Sequence, residues 1–321
     1  MKSIESVKNV ISKEFALFES EFGKVYAHDN QLLSSILQHL SKSKGKQVRP
    51  LLVLLAAKLC GAVNNASIHT AISLELLHTA SLIHDDIVDE SDERRGQQAV
   101  HVKWNNKVAV LAGDYMLSNS LNIAVKTQNI QILELISDLG KSLADGELLQ
   151  LSNTRKLLQS EQDYYTIIRK KTALLFSVCT TAGAVSVDAD SAQVQCLKQF
   201  GELLGMCFQI QDDIFDYSEN LNIGKPVGND ISEGKVTLPL ILALRNTPNA
   251  QILDIVENKR FTSENINHVL SFVRNNGGIQ LAQEVMERFR TEAASTLCIF
   301  PDGEVKTAML EMLEYITKRN K

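Results

Sequence analysis

LLHTASLIHDDIVDESDERRG, residues 76–96, is an apolar helical run that closes on three aspartates, Asp85, Asp86 and Asp89. The same D-D-x-x-D spacing returns in QIQDDIFDYSENLNIGKPVGNDISEGK, residues 209–235, as Asp212, Asp213 and Asp216. At about 3.6 residues per turn, Asp85 and Asp89 share one helical face, as do Asp212 and Asp216. The segments leading into the two clusters, 66–90 and 190–217, are too apolar for surface helices. Both therefore read as central helices of one bundle, whose inward-pointing side chains line an open-ended core.

Working outward, apolar residues recur at three- and four-residue intervals through nearly every segment, and alternating strand patterns are scarce. The expected fold is all-α, a single large helical domain over 1–321 with a central cavity. The expected helices are 2–22, 29–41, 47–60, 66–90, 106–126, 128–154, 161–185, 190–217, 236–246, 262–275, 278–298 and 303–318. No fixed repeat recurs, and no composition shift marks a linker.

Paired carboxylates one turn apart suit a hard divalent cation. Magnesium takes oxygen ligands, keeps several waters, and is held by few carboxylates together with substrate phosphates. Six facing aspartates would repel one another without a counter-charge, and about three divalent ions would neutralise them. Arg94 and Arg95 follow the first cluster, and Lys225 and Lys235 follow the second in a stretch containing Gly224, Gly228 and Gly234. Glycines there let backbone N–H groups approach phosphate and allow a mobile flap to close. One such acidic motif alone would read as a solvated helix end; two copies trailed by cations read as a metal and diphosphate site.

Composition fits a globular enzyme. The 321 residues are 44% hydrophobic and 22% charged, with a net charge of −5, and there is no basic stripe with interleaved aromatics to suggest nucleic-acid binding. Five scattered cysteines lack C-x-x-C spacing, which argues against a disulfide framework or zinc site and for small core residues. No uninterrupted apolar run approaches the roughly 18 residues of a membrane span, and the N-terminus lacks a signal-peptide core. The expected compartment is the cytoplasm. Trp104 and His101 read as packing residues, and Lys170 as exposed.

Five stretches carry a resemblance: GKQVRP at 45–50, residues 76–96, LAGDYML at 111–117, KKTALLF at 170–176, and FQIQDDIFDY through EGKVTLP at 208–239. In this order, over roughly residues 40–245, they resemble the trans-isoprenyl diphosphate synthases, and most of all the long-chain polyprenyl diphosphate synthases. The resemblance implies head-to-tail condensation of an allylic diphosphate with isopentenyl diphosphate, magnesium dependence, and an all-α bundle that is usually a homodimer. It implies that Asp85, Asp89 and Asp212 are the principal magnesium ligands, with Asp86, Asp213 and Asp216 completing the clusters. Arg94, Lys171, Thr172, Gln209, Lys225 and Lys235 match positions around the allylic diphosphate. Lys46, Arg49, His78 and Arg95 match those that hold isopentenyl diphosphate. No side chain is evident as the final base, and departing pyrophosphate is the acceptor the family suggests.

The chemistry is sensible on its own terms. Heterolysis of an allylic C–O bond leaves negative charge on diphosphate, so cations placed there lower the barrier. The carbocation half needs an apolar wall that excludes water. A growing chain would run past Leu77, Ala80 and Ser81, one and two turns before Asp85, towards Ile132 and Ile136 on the 128–140 helix. Short-chain members place a bulky aromatic four or five residues before the first Asp, where this chain has Ser81 and Ala80. The tunnel is therefore expected to be open at its mouth, and the product to hold about six to ten isoprene units (thirty to fifty carbons) for a quinone side chain, with transient membrane contact on release. The alternatives are a shorter-chain synthase, a terpene cyclase, against which Lys46, Arg49 and Arg95 argue, and a silent partner subunit, against which two intact clusters argue.

Overall fold

The computed structural model describes residues 4–42, 45–153, 160–218 and 227–318. Its helices are α1 Ile4–Val10, α2 Ser12–Lys24, α3 Gln31–Lys42, α4 Val48–Cys60, α5 Asn65–Val88, α6 Val100–Lys103, α7 Asn106–Val125, α8 Ile130–Asn153, α9 Glu161–Ile168, α10 Leu174–Val185, α11 Ser191–Asp216, α12 Asn229–Ser232, α13 Leu238–Asn246, α14 Ala250–Glu257, α15 Ser263–Asn275, α16 Gly278–Thr296 and α17 Glu304–Lys318. A two-stranded hairpin, β1 Glu93–Arg94 and β2 Gln97–Gln98, follows α5, and a π-helical turn, Arg169–Ala173, joins α9 to α10. The all-α expectation holds. The expected continuous helices 2–22 and 161–185 are interrupted, at Ile11 and at the π turn, and α14 was not foreseen.

The two motif helices are set by their caps and by what they pack on. Asn64 starts α5, its side chain accepting from Ser67 N at 3.0 Å, and Asp190 starts α11, accepting from Gln193 N at 2.8 Å. α5 lies between α4 and α7, while α11 lies between α10 and α16. Ser73 and Ser120 exchange hydroxyl-to-carbonyl hydrogen bonds of 2.8 Å in both directions, which pins α5 to α7 in a dry contact. α10 joins the two halves by packing on α4: a Cβ on Gly183 would sit 2.3 Å from the Val53 carbonyl oxygen, so only glycine lets the helices approach this closely.

Among the described residues, α7 alone is long and apolar enough to cross a membrane by length and composition. Counting uninterrupted apolar runs passed over it. One face, with Ala109, Ala112, Met116 and Ile123, is buried, whereas Val110, Leu111, Leu121 and Val125 are exposed. Of the cysteines, Cys179 and Cys207 are buried as expected, but Cys298 is exposed.

Candidate active site

Asp85 and Asp89 arrive at the last turn of α5, with Asp89 as its C-cap. Across from Asp85, α8 presents Glu147 and the π turn presents Lys171. The Lys171 ammonium bridges this gap, lying 2.6 Å from Glu147 and donating to Gln150 at 3.3 Å. Burial pushes the Asp85 carboxyl up to about 6, with the facing charges of Glu147 and Asp89 adding to the effect and Lys171 and Arg94 opposing it. The structure thus holds a partly desolvated carboxylate among like charges, short of positive charge. Hard oxygen donors crowded in this way fit a divalent cation.

The π turn is what brings Lys171 here. A Cβ on Gly205 of α11 would lie 2.5 Å from Ala173 Cα, and one on Gly146 of α8 would lie 3.3 Å from Lys171 N. Glycine on both sides lets the wider turn nest between α8 and α11, and such turns cluster at functional sites. Lys170 is not simply exposed, because it pairs with Asp145 at 2.5 Å.

The six aspartates do not converge. Successive helical residues are turned by about 100°, so Asp86 leaves the Asp85 face, is buried, and accepts from Arg94 Nε at 2.7 Å. Asp213 is likewise buried away from Asp212, accepting from Tyr164 Oη at 2.6 Å and Gln209 Nε2 at 2.8 Å. Asp216 caps the backbone beyond the glycine-rich segment, accepting from Asn229 N at 3.0 Å and Asp230 N at 3.1 Å. Among the described residues, no three His, Cys, Asp or Glu side chains form a ready-made metal cluster.

Gly224 and Lys225 lie outside the described residues. Beyond them the expected flap is an anchored turn: Gly228 at φ 84° donates to the Asp216 carbonyl at 3.0 Å, and α12 follows. Lys235 pairs with Glu233 at 2.5 Å. Burial would lower its pKa, but Glu233, Asp230 and Asp89 raise it overall. Asp89 is among the charges that act on Lys235, which puts the end of the first motif near this lysine. Lys171, Thr172, Gln209, Asp213, Asp230 and Lys235 line a cavity beside the second motif.

A second cationic centre lies beside α5. Arg95 and Gly96, at φ 53° and 72°, form the two-residue turn of the hairpin. This strained corner aims Arg94 at Asp86 and lays the Arg95 guanidinium over Gly45, where a Cβ would meet Arg95 Cζ at 2.7 Å. Lys46 sits over the Tyr315 ring at 5.3 Å and Arg49 over the Phe176 ring at 5.8 Å. Burial drives the His78 imidazole well below its usual range, and Arg49, Arg95 and Arg94 push it further, so it is neutral. The buried Glu75 carboxyl is raised by burial against the opposing pull of Arg49 and Arg95. Arg49, Glu75, His78 and Arg95 are thus brought together with Gly45, while Lys46 lies apart over Tyr315.

Of the residues expected to line a product path, Leu77, Ala80, Ile132 and Ile136 are buried. Leu77 leans on α8, its Cδ1 lying 3.8 Å from where a Cβ on Gly140 would be. Ser81 is half-buried, donating to the His78 carbonyl at 3.0 Å. Trp104 stacks edge-on to His39 at 5.4 Å, a packing role as expected. Glu147, Tyr164, Glu75 and Asp230 escaped the sequence reading. Gly146 beside Glu147 was the one available signal, a small residue where α8 meets another backbone.

The polyprenyl synthetase family model matches residues 30–273. The chain belongs to the polyprenyl synthetase family. It is 32% identical to octaprenyl diphosphate synthase of Haemophilus influenzae, over 100% of this chain and 98% of that protein. A polyprenyl synthase from Caulobacter crescentus, solved in complex with calcium and isoprenyl diphosphate, superposes with a TM-score of 0.93 at 31% identity, covering 99% of this chain and 98% of the other. A geranylgeranyl pyrophosphate synthase from Bacteroides thetaiotaomicron superposes with a TM-score of 0.86 at 43% identity, covering 99% and 100%. The chain is accordingly a prenyltransferase of the all-α isoprenoid synthase fold.

Proposed function

We propose that this polyprenyl synthetase condenses an allylic diphosphate with isopentenyl diphosphate, head to tail and repeatedly, to a long-chain all-trans polyprenyl diphosphate. The observation that carries the reading is the pairing of two cationic centres on either side of α5. Lys171 acts on Asp85 and Asp89 on Lys235, and both lysines line the cavity beside Asp213, while Arg49 and Arg95 gather with the neutral His78 behind the Gly45 loop. Two diphosphates need two such centres, and a cyclase needs one.

Asp85, Asp89 and Asp212 would hold up to about three magnesium ions, with Asp86, Asp213 and Asp216 bracing them; bound magnesium would supply the positive charge that draws electrons towards the departing diphosphate. Lys171 and Lys235 stabilise the charge on that leaving group, as does Lys225, and Arg94 orients Asp86 beside it. Thr172 and Gln209 position the allylic diphosphate. Lys46, Arg49 and Arg95 grip isopentenyl diphosphate, and the neutral His78 adds a hydrogen bond without adding charge. Leu77, Ala80 and Ser81 line the start of the product path, and Ile132 and Ile136 its depth. The carbocation meets only apolar side chains there, which keeps water away, and the departing pyrophosphate accepts the final proton. The apolar exposed face of α7, with Leu111 and Leu121, supports a homodimer through α7 and α8.

The test is incubation with farnesyl diphosphate, radiolabelled isopentenyl diphosphate and magnesium, followed by sizing of the dephosphorylated products, with Asp85→Ala and Asp212→Ala as controls. Products of thirty carbons or more, lost in both variants, support the reading. The likeness to a geranylgeranyl pyrophosphate synthase favours a second reading, a twenty-carbon product, which would stop the ladder there. No incorporation with any allylic primer would leave a partner subunit.

A further inference from the structure

The cavity beside the second motif is lined by a tyrosine that neither carries charge nor belongs to any motif. Tyr164 is buried on α9, and its hydroxyl donates to Asp213 Oδ2 at 2.6 Å. The other oxygen, Oδ1, accepts from Gln209 Nε2 at 2.8 Å, and Gln209 Oε1 in turn accepts from the Thr172 hydroxyl at 2.7 Å. Burial and then the Asp230 charge push the Asp213 carboxyl up, and the hydrogen bonds from Tyr164 and Gln209 oppose this by favouring the ionised form. An ionised carboxylate only accepts, so the side of the Gln209 amide that faces it is the NH2 group. The amide cannot flip without setting its carbonyl against the Asp213 carboxylate, while the Thr172 hydroxyl, able to donate or accept, follows the direction that Asp213 sets. One amide N–H is used by Asp213, and Gln209 lines the cavity, so the second N–H is the donor this trio offers to a ligand. Thr172, whose proton is spent on Gln209, has only acceptor capacity left.

We propose that Tyr164 is a positioning residue for the allylic diphosphate, acting through Asp213 to fix the Gln209 amide with its free N–H towards that diphosphate. The proposal rests on the reading of this cavity as the allylic site. Without the tyrosine hydroxyl, Asp213 Oδ2 is left buried and unpaired, the carboxylate rotates to recover a partner, and the amide loses the contact that sets its direction. Isopentenyl diphosphate, expected beside Arg49 and Arg95, should not register the change.

The experiment measures KM for farnesyl diphosphate and for isopentenyl diphosphate, with the melting temperature, in the wild-type protein, Tyr164→Phe, Gln209→Ala, the double variant and Lys171→Ala. Tyr164→Phe should raise KM for farnesyl diphosphate about tenfold, the equivalent of about 1.4 kcal/mol. KM for isopentenyl diphosphate should stay within about twofold. In the Gln209→Ala background the tyrosine change should add nothing, because the group it orients is gone. Equal rises for both substrates, or effects of Tyr164→Phe and Gln209→Ala that multiply independently, would mean that Tyr164 only supports the fold and would overturn the proposal. If Lys171→Ala raises KM for farnesyl diphosphate while Tyr164→Phe does not, the proposal falls and the allylic reading stands. If Lys171→Ala also leaves it unchanged, both fall together. Should Tyr164→Phe fail to fold, Thr172→Val cuts the same chain at its other end and must reproduce the selective rise.

Discussion

Asp85→Asn should make the metal-free protein more stable at pH 8 and leave it almost unchanged at pH 4. The Asp85 carboxyl is raised from an ordinary 3.8 to about 6, first by burial and then by Glu147 and Asp89. Below pH 3.8 it is protonated in both the folded and unfolded chain. Between there and about pH 6 the unfolded chain ionises while the folded one resists, so stability drains away as pH climbs, and above 6 the loss is complete. A gap of about two pH units is worth at most about 3 kcal/mol, and partial exposure to solvent brings this to about 1–2 kcal/mol. For a chain of 321 residues that is a rise in melting temperature of roughly 2–3 °C. The assay is thermal unfolding of wild type and Asp85→Asn in a chelating buffer at pH 4 and pH 8. Magnesium should then stabilise wild type at pH 8 far more than the variant, because it supplies the missing positive charge. A stabilisation of equal size at both pH values, or none at pH 8, would refute the electrostatic account of this site.

Arg94→Ala should cost about 2–4 kcal/mol in chemical denaturation by stranding the buried Asp86, and adding Asp86→Asn should recover much of that stability without restoring activity. Gly205→Ala should lower the melting temperature and cut turnover at least about tenfold, since its Cβ would intrude on Ala173 and push the π turn that carries Lys171, at about 1–3 kcal/mol of overpacking. Ser81→Phe should shorten the products without abolishing condensation, seen by chromatography of the dephosphorylated prenols. Leu111→Asp with Leu121→Asp should turn the proposed dimer into a monomer in sedimentation, with the helical signal of circular dichroism retained.

The architecture was legible because α5 is apolar almost all round and α11 becomes so over its second half, a pattern only a buried helix can carry. Legibility ended where a neighbouring element decides. Residues 161–185 read as one helix because a single π turn shifts the apolar spacing by only one residue; the glycines that admit it, Gly146 and Gly205, lie on other helices. α14 is a short amphipathic stretch whose start is marked by Asn249, which accepts from Ile252 N at 3.1 Å, but two turns of period are too few to separate from a loop. Glu147 and Tyr164 belong to no motif and gain their meaning from Lys171 and Asp213, from which they are distant in sequence. The direction of Asp86, by contrast, was already implied by helical geometry: residues i and i+4 share a face, and i+1 does not.

That last point explains why the motif carries two adjacent aspartates. Asp85 points into the cavity, where its charge is unfavourable until a cation arrives. Asp86, one residue on, points out of it and is matched by Arg94 at the base of a strained hairpin. The same hairpin corner lays Arg95 over Gly45 at the entrance to the second cationic centre. One turn of α5 therefore fixes the carboxylate proposed to face the metal and, through Asp86 and Arg94, the arginine of the neighbouring centre. The second motif is built on the same plan with different partners. Asp213 is held by Tyr164 and Gln209 at the cavity wall, and Asp216 holds the backbone that delivers Lys235. In each motif, the aspartates tied to protein partners secure the groups around the site.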